Sequence, residues 1–123
     1  MTITRLTVAQ IALLSLYAAG MASGQILFKM AALRVVVDGT FVERIVTLAG
    51  NVYFLAAFMV YSALAVLWVW ILTFTPLSRA YPFVALAIAI TPLLGAFLFD
   101  EPVTLRLILG ILIIALGLTF VTT

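Results

Sequence analysis

Four stretches of this chain are nearly continuous apolar runs, at about residues 8–33, 52–74, 82–99 and 103–121, and this repetition constrains the fold more than any other feature. A helix needs about 20 apolar residues to cross the hydrocarbon of a bilayer, roughly 30 Å at 1.5 Å per residue. Each run is close to that length. With 67% hydrophobic and 8% charged residues, against roughly 45–50% and about 25% in soluble domains, the chain cannot cover a globule with polar groups. The expectation is an all-α, integral membrane bundle of four antiparallel transmembrane helices, a single transmembrane domain over residues 1–123.

The breaks between runs have readable chemistry. Asp38-Gly39 supplies a turn, and Thr40 followed by Glu43 matches the capping box that opens a helix. Phe41, Val42, Ile45, Val46 and Ala49 then fall on one side, with Glu43, Arg44 and Thr47 on the other. That pattern predicts a short interfacial helix between the first two spans, with a solvated loop or hairpin as the alternative. Thr75-Pro76-Leu77-Ser78-Arg79 reads as a short loop, Pro82 as the first turn of the third span and Pro92 as a break in its hydrogen bonding. Asp100-Glu101-Pro102 turns the chain into the fourth span, with Pro102 expected in its first turn. Arg5 ahead of an apolar run, with small residues at Ala18, Ala19, Gly20 and Ala22, also fits a signal peptide. The run stays apolar beyond that point, which favours a span. Arg5 and Arg79 fall on one side of the membrane and Lys29, Arg34, Arg44 and Arg106 on the other; the positive-inside rule then places residues 34–48 in the cytoplasm and both termini outside.

The sequence contains neither Cys nor His, which removes thiol and imidazole chemistry and the metal sites built on them. No cofactor, metal or enzymatic role is expected. The six basic residues are scattered, so no nucleic-acid surface is expected either. Lys29 is the one full charge inside the first span, with Gln25 one turn earlier on the same face. A Lys near a helix end can snorkel to the headgroups. It can also meet an anionic group such as a phosphate, for which it is a capable point-charge partner. Arg79, Tyr81, Asp100, Glu101 and Arg106 lie at span ends, where charged and aromatic side chains commonly act as anchors. Tyr53, Tyr61, Trp68 and Trp70 read as lipid-facing or interfacial. Gly20 and Gly24 suit close helix packing within the chain, whereas Gly110 and Gly117, seven apart, suit packing against a second chain.

Taken in order, Gly24-Gln25-Ile26-Leu27-Phe28-Lys29, then Leu67-Trp68 leading into Thr75-Pro76-Leu77-Ser78-Arg79-Ala80-Tyr81-Pro82, then Asp100-Glu101-Pro102-Val103 and the Gly110 to Gly117 stretch resemble the four-helix branch of the drug/metabolite transporter superfamily. This branch is EamA-like and small multidrug resistance-like. Within it the likeness is to the aminoarabinose-phosphoundecaprenol flippase subunits. Small multidrug resistance transporters use a glutamate in the first helix to exchange protons for cationic drugs. The corresponding position here is about Met21, and the first span holds no acidic residue.

The resemblance implies a subunit of the bacterial inner membrane that acts in a dimer and moves a polyprenyl-phosphate-linked sugar between leaflets. The partner is either a second copy or a related four-helix chain. Substrate contacts are expected from Gln25, Lys29, Arg79, Tyr81 and Glu101, and dimer packing from Gly110 and Gly117. The alternatives are an exporter of small cationic compounds and a non-transport membrane subunit that supports a glycosyltransferase.

Overall fold

In the computed structural model, which describes residues 6–122, helix α1 spans Val8–Ala32; Arg5 lies outside the described residues. Thr7 and Gln10 open α1 with a reciprocal cap. The Thr7 hydroxyl accepts from the Gln10 N–H at 3.2 Å, and the Gln10 side-chain oxygen accepts from the Thr7 N–H at 2.8 Å. The Thr40–Glu43 box works the same way, both bonds at 3.3 Å, and begins α2 (Phe41–Ala49). A helix therefore forms where a loop was the alternative. Arg44 donates to the Val37 carbonyl and secures the preceding turn. The apolar side of α2, with Phe41, Val42, Ile45 and Val46, is exposed.

Asn51 starts α3 (Val52–Leu72) and also ties it to α1. Its Oδ1 accepts from the N–H groups of Tyr53 (2.9 Å) and Phe54 (3.3 Å), while its Nδ2 donates to the Ala31 carbonyl at 3.1 Å. At the opposite end the Gln10 amide donates to the Phe74 carbonyl (3.0 Å) and the Thr75 hydroxyl (3.2 Å). Both ends of the pair are thus pinned by side-chain amides, and α1 and α3 run antiparallel. Between the pins, Ala57, Tyr61, Leu64, Trp68 and Ile71 form an inward stripe at alternating spacings of four and three residues. In lipid, such a seam is held by close contact and interhelical hydrogen bonds rather than by hydrophobic drive. Gly20 and Gly24 provide the closeness. A Cβ at Gly24 would lie 2.5 Å from the Tyr61 ring, and one at Gly20 would lie 2.7 Å from a Leu64 methyl.

The third span starts earlier than its prolines suggested. Thr75-Pro76 ends the turn, and the Pro76 carbonyl accepts from Arg79 N–H (3.0 Å) and Ala80 N–H (2.9 Å), opening α4 (Leu77–Ala80). Pro82, expected in the first turn of this span, instead sits within a single 3₁₀ turn, Tyr81–Phe83, that leads into α5 (Val84–Phe99). A residue without an N–H is accommodated by tightening the helix locally rather than by starting it. Helix α5 continues through Pro92, whose missing N–H leaves the Ile88 carbonyl without its usual helical donor.

Asp100 ends α5 in the left-handed region (φ 51°), the only non-glycine residue among those described with positive φ. Pro102 lies ahead of the last helix rather than in its first turn, because residues 101–104 are not helical. Thr104 takes the capping role, its hydroxyl accepting from the Leu107 N–H at 3.1 Å, and α6 runs Leu105–Thr122.

Helix α1 lies between α3 and α5, and α6 packs on α5. A buried cluster of Leu14, Ile71, Ala80 and Phe83 closes one end of the bundle, with the Tyr17 and Trp68 rings 4.8 Å apart beside it. Three helical stretches, Val8–Ala32, Val52–Leu72 and Leu77–Phe99, are long and apolar enough to cross a membrane, and Leu105–Val121 is a shorter apolar helix. The described residues contain no strand. The chain is a multi-pass, all-α membrane protein.

Candidate functional site

At the end of the bundle away from the buried cluster, α1, α5 and the turn after α5 border an open groove of about 370 Å³. Gln25, Ile26 and Lys29 line it from α1, Thr91, Pro92, Gly95 and Phe99 from α5, and Glu101 from the turn. Lys29 lies three residues before the end of α1, about 4.5 Å along the axis, and Glu101 follows α5 by two residues. From Phe99 down to Thr91 the groove reaches about 12 Å along α5. Its charged mouth is at the ends of α1 and α5, and its inner part lies among the apolar side chains of Ile26, Pro92 and Phe99.

Across the mouth, Lys29 Nζ pairs with Glu101 Oε1 at 3.4 Å, with the two side chains 43% and 45% exposed. Two local features place the carboxylate there. The left-handed Asp100 reverses the chain so that Glu101 returns over the end of α5. Gly95 then leaves room for it, since a Cβ at that position would be 2.8 Å from Glu101 Oε2.

The polar wall deepens through Gln25. Its Nε2 donates to the Tyr61 hydroxyl at 2.8 Å, and that hydroxyl donates to the Met21 carbonyl at 3.1 Å. Tyr61 is also stacked on Phe28 with centroids 5.2 Å apart. Tyr61 was expected to face lipid or the interface; instead it is half-buried, inside the α1–α3 seam. The signal for this was its place in the Ala57–Ile71 stripe, opposite Gly24. Trp68 likewise packs inward on Tyr17, whereas Trp70 is exposed. Tyr53 holds Arg34, whose guanidinium lies 4.6 Å from the ring centroid and donates to the hydroxyl at 3.3 Å.

Of the five candidate contact residues, Gln25, Lys29 and Glu101 meet in this groove. Arg79 and Tyr81 are at the other end of the bundle, Arg79 half-buried and Tyr81 exposed and edge-on to Trp68 with centroids 6.3 Å apart. Gly110 and Gly117 have nothing within 4 Å of where a Cβ would project. Gly110 borders a second, almost wholly apolar groove of about 480 Å³ with Ile88, Pro92, Arg106 and Ile114. Sequence reasoning missed Thr91 and Gly95, which carry no charge and occupy a uniformly apolar stretch.

No protein-family profile matches the chain, and no solved structure matches it. A curated relative from Hamiltonella defensa subsp. Acyrthosiphon pisum, described as a probable 4-amino-4-deoxy-L-arabinose-phosphoundecaprenol flippase subunit ArnE, is 38% identical over 76 residues. The match covers 62% of this chain and 63% of the relative's length. Over that part, the chain is similar to a flippase subunit of the kind its motifs resemble.

Proposed function

We propose that this chain is a subunit of a lipid-linked sugar flippase, moving a polyprenyl-phosphate-linked sugar across the bacterial inner membrane. The observation that carries the reading is the groove with Lys29 at its mouth, Gln25 one turn deeper and apolar side chains beyond. The polyprenyl tail is at home in lipid, and the cost of translocation falls on the phosphate and sugar. A cation beside an amide gives the phosphate a partner, while the tail remains between the helices. The likeness to a named flippase subunit supports the same reading.

One chain leaves the groove open at the side, with Lys29 and Glu101 both more than 40% exposed. A second copy or a related four-helix chain closes it, with Leu105–Val121 serving as the fourth span and its Gly110–Gly117 face packing against the partner. Arg79 and Tyr81 line or gate the route at the other end of the bundle, and α2 lies in the interface with its apolar side in lipid. Export of small cations fits less well, because the carboxylate bordering the groove is already paired to Lys29.

The test is translocation of a polyprenyl-phosphate-linked sugar in vesicles containing the full chain and any partner that co-purifies with it. Lys29→Ala is expected to slow movement at least tenfold and Lys29→Arg to retain part of it. Unchanged rates in both variants would remove Lys29 from the mechanism.

A further inference from the structure

The ion pair at the groove mouth is built from two elements that need not have met. Glu101 reaches Lys29 only because Asp100 adopts a left-handed conformation and Gly95 lacks a side chain. The left-handed Asp100 also ends α5, but the start of α6 does not depend on either feature, since Thr104 caps that helix by itself. The pair is also incomplete. At 3.4 Å and nearly half exposed on both sides, it leaves each charge room for a further partner from the groove.

A ligand entering this mouth must deal with both charges. A head carrying only a phosphate is drawn to Lys29 and repelled by the carboxylate beside it; a head carrying only a cation meets the reverse problem. Once a bound head excludes water from the mouth, a charge left without its partner is costly, and like charges at such range oppose binding. A head bearing an ammonium and a phosphate, held apart by a sugar ring, can replace each half of the pair with an opposite charge. Every charge then keeps a partner when the pair opens.

Building on the flippase reading, we infer that Glu101 is a specificity-determining residue that gives up Lys29 for the ammonium of an amino-sugar head while Lys29 takes the phosphate. The intact pair is then the resting, unliganded arrangement of the mouth. Gln25, held by Tyr61 one turn deeper, is placed to meet the sugar between the two charged contacts.

The experiment measures binding to the full chain in phosphatidylcholine nanodiscs for two lipids with the same polyprenyl tail, 4-amino-4-deoxy-L-arabinose-phosphoundecaprenol and its N-acetyl derivative. Wild type is expected to bind the free amine at least tenfold more tightly. Glu101→Gln should erase that preference while keeping affinity for the acetylated lipid, and Lys29→Gln should weaken both lipids. Equal binding of the two lipids by wild type, or a Glu101→Gln variant that keeps the preference, overturns the inference and leaves the transport reading standing on its own assay. Displacement of the amino-sugar lipid by an equal amount of phosphatidylethanolamine overturns the assignment to a sugar head. If vesicles move neither lipid and nanodiscs bind neither, both the transport reading and this inference fall.

Discussion

Gly20 and Gly24 in α1 are chemically the same as Gly110 and Gly117 in α6, yet the structure uses the two pairs in opposite ways. The first pair is filled from within, by Leu64 and Tyr61 of α3. The second has nothing within 4 Å of where a Cβ would project, although Gly110 borders the groove shared with Ile88 and Pro92 of α5, and no described residue of α6 is as buried as Leu14 or Ile71. Small residues in a membrane helix mark where another backbone can come close; they do not say whether that backbone belongs to the same chain. What decides is whether a neighbouring span offers a bulky stripe in matching register. Helix α3 does so for α1, with Tyr61, Leu64 and Trp68, and among the described residues no element does so for the Gly110–Gly117 side of α6.

The largest expected effect comes from disturbing the filled pair. Gly24→Ala puts a methyl 2.5 Å from a ring that cannot easily yield, because Tyr61 is stacked on Phe28 and bonded to both Gln25 and Met21. Overpacking of this kind costs about 1–3 kcal/mol, which denaturant titration in detergent micelles can read. Gly20→Ala meets only the flexible end of Leu64 and should cost clearly less. Equal losses at the two positions would mean that the seam yields as a whole and that the Tyr61 ring is not the rigid element.

That contrast also shows how much could be read beforehand. The apolar runs made the helices legible, and the Thr40–Glu43 box made the start of α2 legible, because both depend on local spacing. The prolines misled at helix starts: Pro82 and Pro102 seemed to belong in first turns, but the actual starts are set by the Pro76 carbonyl and the Thr104 hydroxyl. In the groove, Lys29 and Gln25 could be paired from one helical turn, and Glu101 was a candidate by its place at a span end. Their meeting was not legible. It depends on a left-handed Asp100 and on the absence of a side chain at Gly95, neither of which leaves a periodic signal.

A smaller effect separates polar from steric contributions in the same seam. Tyr61→Phe keeps the ring against Gly24 but removes the hydroxyl that accepts from Gln25 and donates to the Met21 carbonyl. Interhelical hydrogen bonds in membrane proteins average about 0.6 kcal/mol each, so losing both should cost about 1.2 kcal/mol, toward the lower end of the range for Gly24→Ala. The freed Gln25 amide should also weaken binding of a polyprenyl-phosphate-linked sugar in nanodiscs. A loss as large as that of the glycine variant would mean that hydrogen bonding, not shape, holds α1 to α3.

The smallest effect on the single chain is expected at the open pair. Gly110→Leu and Gly117→Leu place side chains where nothing lies within 4 Å of the new Cβ, and leucine is the better helix former by up to about 1 kcal/mol. The chain should therefore unfold in micelles no earlier than wild type. Its association should change, because leucines on that face keep a second backbone from approaching. Cross-linking in native membranes or sedimentation in micelles reads the difference. Reduced association with unchanged stability places the partner on α6. Destabilisation of the isolated chain would show instead that this face already packs within it. Unchanged association would move the partner surface elsewhere on the bundle and leave the groove between α5 and α6 to lipid.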